Sequence, residues 1–248
     1  MKYWQRVVKY LSIGLAFTLA TSIILGGIAL MGRIFGYKRS KILDEPYSIE
    51  LSQNIENIDI CVSAAKFKIV LGDNFSLLTD IEDLNATSNT TLSIIQPKNV
   101  FTFGSNRAGE IILTVPHNAH FKYFTIDAGA GEVEIEYLNA DTVEIDMGAG
   151  NLSLHAGMIG GLNIDLGAGN MNFKAALTGN CKIDVGVGKV DLNIIGQKSD
   201  YRINIDQGVG SITVDDVRIT EDTIIGDGKY KIDVDGGVGS VDINFVNE

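Results

Sequence analysis

The sequence predicts an all-β protein: a single-domain β-solenoid, or β-helix, of about 19-residue rungs, preceded by one N-terminal transmembrane helix. Three observations carry that prediction. A strand-like template recurs six times, each copy interrupted at the same place by a Gly-x-Gly pair. Apolar and polar residues alternate within every copy, the period of a strand and not of a helix. Near the start of the chain lie 22 consecutive residues without a charge.

The uncharged run, LSIGLAFTLATSIILGGIALMG over residues 11–32, would rise about 33 Å as a helix, enough to cross a hydrocarbon core of about 30 Å. Trp4 and Tyr10 before it, and Phe35 and Tyr37 after it, suit the two membrane interfaces. The run is longer than the apolar part of a signal peptide and no A-x-A cleavage pattern follows, so an uncleaved anchor is expected. Residues 1–10 then form a short basic tail and residues 33–56 a juxtamembrane linker. Residues 1–41 hold seven Lys/Arg and no acid, so the remainder keeps 13 Lys/Arg against 31 Asp/Glu, a formal charge of 13 − 31 = −18. Three cations precede the run and four follow it closely, so the positive-inside rule barely discriminates. The expected placement is a single-pass protein of the cell membrane with its tail inside and its large domain outside. So acidic a domain excludes nucleic acid as a partner and favours a cationic one. With two cysteines only, Cys61 and Cys181, the fold is not a disulfide-stapled scaffold.

The six copies are FTIDAGAGEVEI from Phe124, VEIDMGAGNLSL from Val143, LNIDLGAGNMNF from Leu162, CKIDVGVGKVDL from Cys181, INIDQGVGSITV from Ile203 and IDVDGGVGSVDI from Ile232. Their glycine pairs are Gly129 and Gly131, Gly148 and Gly150, Gly167 and Gly169, Gly186 and Gly188, Gly208 and Gly210, and Gly237 and Gly239. The steps between first glycines are 19, 19, 19, 22 and 29 residues, the longer two reading as loop insertions. Stacking the copies aligns inward columns. One is Ile126, Ile145, Ile164, Ile183, Ile205 and Val234; another is Val133, Leu152, Met171, Val190, Ile212 and Val241. The residue between the glycines is always Ala or Val and is expected to point inward as well. Alternation slips by one across the pair, so the strand must bend there. ICVSAAKFKI from Ile60 fits the same template with small residues for glycines, a degenerate first rung. The solenoid therefore spans 57–248, with regular rungs over 124–248. The final rung closes almost at the last residue, so its edge is expected to be open, a route to self-association.

The Gly-x-Gly pairs invite a nucleotide-loop reading, but that motif needs a third glycine, an opening helix and a single occurrence. Six occurrences with no helix make them structural corners. Two residues before each first glycine stands an aspartate: Asp127, Asp146, Asp165, Asp184, Asp206 and Asp235. On rungs about 4.8 Å apart, like charges in water repel by roughly 0.9 kcal/mol per pair. The expected offset is an Asx hydrogen bond from each carboxylate to the N–H two residues on. A ladder of bridged Ca²⁺ is the alternative, and the block of Asp lacks the calcium nonapeptide order, so no metal is expected. His117, His120 and His155 offer no third ligand to a metal and read as polar surface. Cys181 falls in an inward column as a small buried residue. No catalytic residues, cofactor or cofactor-binding residues are expected.

On the strength of GEIILTVPHNAHFKYFTIDAGAGEVEI followed by the rungs, the chain resembles the bacterial "putative adhesin" family of β-strand repeats, a domain of unknown function, over residues 57–248. The resemblance implies the solenoid fold, a position behind one membrane span, and a link to adhesion or to envelope stress; it brings no catalytic residues. The expected function is a non-catalytic binding or scaffolding module at the bacterial cell envelope, its partner an unidentified protein or envelope component. The alternatives are an enzyme acting on envelope polysaccharide and a cytoplasm-facing regulator of a membrane partner.

Overall fold

The computed structural model describes residues 41–82, 84–96, 109–220 and 223–247, which belong to one compact unit. The expected anchor, residues 11–32, lies outside them. Among the described residues no helix is long and apolar enough to cross a membrane.

The unit is almost wholly strand: β1 (Ile42–Glu50), β2 (Asn57–Gly72), β3 (Ser76–Ile81), β4 (Asn85–Ser88), β5 (Thr91–Ile95), β6 (Gly109–Pro116), β7 (Phe121–Ile135), β8 (Leu138–Leu154), β9 (Gly157–Leu177), β10 (Cys181–Ile195), β11 (Tyr201–Val214), β12 (Val217–Ile219), β13 (Thr223–Ile225) and β14 (Tyr230–Val246). One 3-10 turn, Lys198–Asp200, interrupts them. Part of the stretch read as a linker is thus strand, since β1 pairs antiparallel with β3 at one end of the sheet. The six template copies lie in β7, β8, β9, β10, β11 and β14, and each strand runs unbroken through its Gly-x-Gly pair. β2 pairs parallel with β7, matching Ile60 to Ile126 and Phe67 to Val133, which makes it the degenerate rung.

Burial within a rung shows how the coil turns. In β8, Leu138 and Ala140 are buried, then Val143, Ile145 and Met147, then Leu152 and Leu154. Inward parity therefore slips between 140 and 143, between 147 and 152, and again before Gly157, which is buried in the next strand. A strand that keeps one face inward through a slip must bend, so each coil has three sides. The inward columns stack into one continuous apolar core from Ile55 to Ile243.

The sheet order corrects the simplest stacking. It runs β1-β3-β6-β2-β7-β8-β9-β10-β14-β11-β12, so the last strand in sequence lies between the fourth and fifth template copies. β14 pairs parallel with β10 on one side and with β11 on the other, along nearly its whole length. The 22- and 29-residue steps are therefore more than loop insertions. The first lets the chain step over one rung height, and the second lets it return. On the way back, β12 and β13 pair antiparallel with the outer edge of β11, at Ile212–Val214 and Ile203–Ile205. The C-terminal rung has no open edge; the edge expected there is occupied on both sides.

The opposite end of the stack is closed in a similar way. β5 pairs with Asn57–Cys61 of β2, and β6 pairs with Ala65–Gly72. Between them the corner of β2 lacks a neighbouring rung, and the buried amide of Gln96 substitutes for one. Its Oε1 accepts from the N–H groups of Ser63 and Ala64 at 3.0 and 3.2 Å.

Candidate functional site

The corners are the most distinctive surface of the stack. At the second glycine of five pairs the backbone φ lies between +134° and +154°, at Gly131, Gly150, Gly169, Gly188 and Gly239. Neighbouring corners also approach closely. A Cβ on Gly169 would stand 1.8 Å from the carbonyl oxygen of Gly150 on the next rung. Both facts require glycine there, one by conformation and the other by space. A nucleotide-binding role is not needed to explain the motif.

The residue between the glycines faces outward, at five of the six corners beside a positive-φ glycine, which corrects the expectation that this column fills the core. Ala149 and Ala168 are exposed and Ala130 is half-buried. Val187, Val238 and Val209 are 54%, 51% and 73% exposed. The inward place goes instead to the residue before the first glycine: Ala128, Met147, Leu166 and Val185 are all buried. Because Val187 pairs with Val238 and Val238 with Val209, the three valines form one uninterrupted apolar ridge along the corner. It continues through Ala168, Ala149 and Ala130. With glycines on both sides of each ridge residue, nothing shields it.

Beside the ridge runs the aspartate rail, in register across Asp127, Asp146, Asp165, Asp184, Asp235 and Asp206. Among the described residues no hydrogen bond joins these carboxylates to the N–H two residues on; Asp127 and Asp184 make other contacts. The reason is that the strand continues through the corner, so its N–H groups stay in the inter-rung ladder. Asp127 Oδ2 lies 3.9 Å from the Cys61 thiol, and Asp184 pairs with Lys182. Among the described residues Asp146 has no such partner. Burial, then the carboxylates of Asp165 and Asp127, push its carboxyl above the ordinary aspartate range.

The sign of that shift sets a prediction. An acid whose folded pKa is raised binds more protons folded than unfolded, so its cost to stability is full at neutral pH, starts to fall as pH drops through the folded value and is gone below the unfolded one. Asp146→Asn is therefore expected to raise the melting temperature by about 2 °C at neutral pH, the effect of relieving on the order of 1 kcal/mol of screened repulsion. The gain should shrink in high salt. A lower melting temperature for Asp146→Asn would mean that the carboxylate holds something in place. Melts with Ca²⁺ and with excess chelator at fixed ionic strength tell which, because only a bridged cation makes the midpoint depend on calcium.

Among the described residues no group of three or more His, Cys, Asp or Glu is placed to hold a metal. His120 Nε2 lies 3.0 Å from Asp141 and His155 Nε2 3.5 Å from Glu134, each an exposed pair. Glu134 is held below the ordinary glutamate range, chiefly by its hydrogen bond from Lys68. Cys181 is 2% exposed, and burial pushes its thiol up to about 12, which makes it an inert core residue. A second corner escaped the sequence reading. A Cβ on Gly179 would lie 1.7 Å from the Gly160 carbonyl oxygen, as close as at the Gly-x-Gly pairs. The signal was present at Gly160 and Gly179, 19 residues apart, but the third member of that series is Asp141.

A family model described as Toastrack DUF4097 matches residues 48–244. Solved structures resemble the chain, and the first of these shares its fold. A putative cell adhesion protein from Clostridium sporogenes superposes with a TM-score of 0.51 at 16% identity, covering 82% of this chain and 100% of that one. A putative adhesin from Bacteroides fragilis gives a TM-score of 0.41 at 15% identity, covering 83% of this chain and 98% of the other. No curated protein matches the chain.

Proposed function

The chain belongs to the Toastrack DUF4097 family, and from that premise we propose that it is a non-catalytic binding module displayed at the bacterial cell envelope. The observation that carries the reading is the ridge: Val187, Val238 and Val209 form a contiguous exposed apolar line on a rigid scaffold, beside a rail of like charge. Exposed apolar surface fixed on a stiff frame favours association. The acidic rail selects for a partner that brings positive charge. The description of the Clostridium sporogenes fold neighbour as a putative cell adhesion protein supports a binding role of this kind. Residues 11–32 serve as a single-pass anchor in this reading, with the solenoid on the outer side and a role in adhesion or in the response to envelope stress.

The test is crosslinking in living cells from a photoreactive residue at Val238, compared with one at Ser153 on another side of the coil. Partner capture from Val238 that is lost on Val209→Ser/Val187→Ser supports the ridge. Equal capture from both positions, or none, sinks it. Protease added to intact cells tests the placement, since a solenoid that survives while other surface proteins are cut lies inside.

A further inference from the structure

The interleaved strand order leaves the stack with a slot. β10 and β11 follow one another in sequence, yet they stand two rung heights apart with β14 between them. What fills the slot is recognised by template. Entry requires a bare corner, because a Cβ at Gly239 would meet the Gly188 carbonyl oxygen at 1.8 Å, and one at Gly210 would meet that of Gly239 at 1.7 Å. Apolar side chains must also fall on two existing columns, as Ile232 does between Cys181 and Ile203, and Ile243 between Leu192 and Val214. Polar matches complete the fit. Asn204 donates to Asp233 at 3.1 Å, Thr213 donates to Asp242 at 2.7 Å, and the N–H of Phe245 donates to Asp215 at 3.0 Å.

None of these determinants distinguishes the chain's own β14 from that of another copy. We propose that the slot between β10 and β11 takes β14 from a second copy of this chain, so that two copies exchange C-terminal strands and form a closed dimer. Reciprocal exchange keeps the pairing of β14 with β10 and β11. The difference in free energy is then confined to the connector and to concentration, which makes swapping a low-cost route to a dimer. In the connector between β11 and β14, β12 and β13 are held to β11 by three register positions each and Gly228 by its N–H to the Tyr201 carbonyl at 3.2 Å, ties that a second path must release. Synthesis favours exchange as well. Until β14 is made, each slot lacks its strand, and copies held near one another compete to fill it. Such a dimer goes beyond the envelope-binding reading and does not depend on it.

Register provides the test. Asn193 on β10 and Asn244 on β14 face each other, both half-buried and outward. Two versions of the full-length chain, both Cys61→Ser, are co-expressed, one with Asn193→Cys and the other with Asn244→Cys and a size tag. They are purified in mild detergent under oxidising conditions. Exchange is expected to give a mixed disulfide between the two versions. The out-of-register pair, Lys182→Cys with Asn244→Cys, is expected to give none. Absence of the mixed species, or equal amounts from both pairs, overturns the proposal. So does a detergent-solubilised wild-type chain that is monomeric by light scattering.

Discussion

Gly169→Ala is expected to destabilise the fold by about 3 kcal/mol or more, while Ala168→Val beside it changes stability by no more than about 0.5 kcal/mol. The two substitutions fall at neighbouring positions in the middle of the stack, and the one expected to be harmless adds two carbons where the other adds one. At Gly169, φ is +148° and the added methyl carbon would lie 1.8 Å from the Gly150 carbonyl oxygen and 3.0 Å from its nitrogen. Those atoms are main chain in the neighbouring rung, so relief requires opening a ladder that joins β8 to β9 along their length. At Ala168 the side chain points to solvent. Its register partner Val187 is a valine that is 54% exposed, which shows that the column accepts the larger residue. Thermal melts check both, with a fall of about 10 °C expected for Gly169→Ala. A large loss for Ala168→Val would put that column back in the core, where overpacking costs about 1–3 kcal/mol.

That contrast also marks where the sequence was and was not legible. Columns such as Ile126 to Val234 could be read directly, because period-2 alternation and a fixed 19-residue step leave one consistent inner face. The corner was legible as a bend from the same alternation. Its internal orientation was not, since Ala and Val at the ridge are equally compatible with core and surface, and the alternation does not show the positive φ at the second glycine of five corners. Strand order was illegible for a different reason. Every rung carries the same template, so β10 can accept β11 or β14 in the same register, and periodicity is blind to the choice. Step lengths held the only clue, and an insertion of three or ten residues reads equally as a loop. The aspartate rail was visible at once, but its environment depends on neighbours on the rung, such as Lys182 beside Asp184, which the repeat itself does not fix.

Removing β14 is expected to uncouple two strands, where removing a terminal rung would uncouple one. A chain ending at Gly228 leaves β10 and β11 without the strand that joins them, and with β11 go β12 and β13, which among the described residues pair with β11 alone. It also removes a clamp. Asp215 and Asp216 turn the chain at φ 49° and 63°, and the N–H of Asp215 donates to Ile243 at 2.9 Å. The Asp215 carboxylate takes the N–H of Phe245 at 3.0 Å and pairs with Lys198 at 2.9 Å. Burial alone would raise its carboxyl; the Phe245 N–H and Lys198 outweigh that and hold it below the ordinary aspartate range. The clamp's contribution is therefore full at neutral pH and is lost only as pH falls through that lowered value. Tyr201 adds a third tie, with its ring 5.8 Å from that of Tyr230 and 5.2 Å from that of Phe245. Hydrogen exchange should accordingly show protection lost across Tyr201–Val214 in the shortened chain, since β11 has lost its parallel neighbour, and kept in β7, β8 and in the β10 amides that bond to β9. Protection retained at Ile203–Val214 would mean that β11 had closed directly onto β10. In that case the template, and not the interleaved order, holds the end of the stack together.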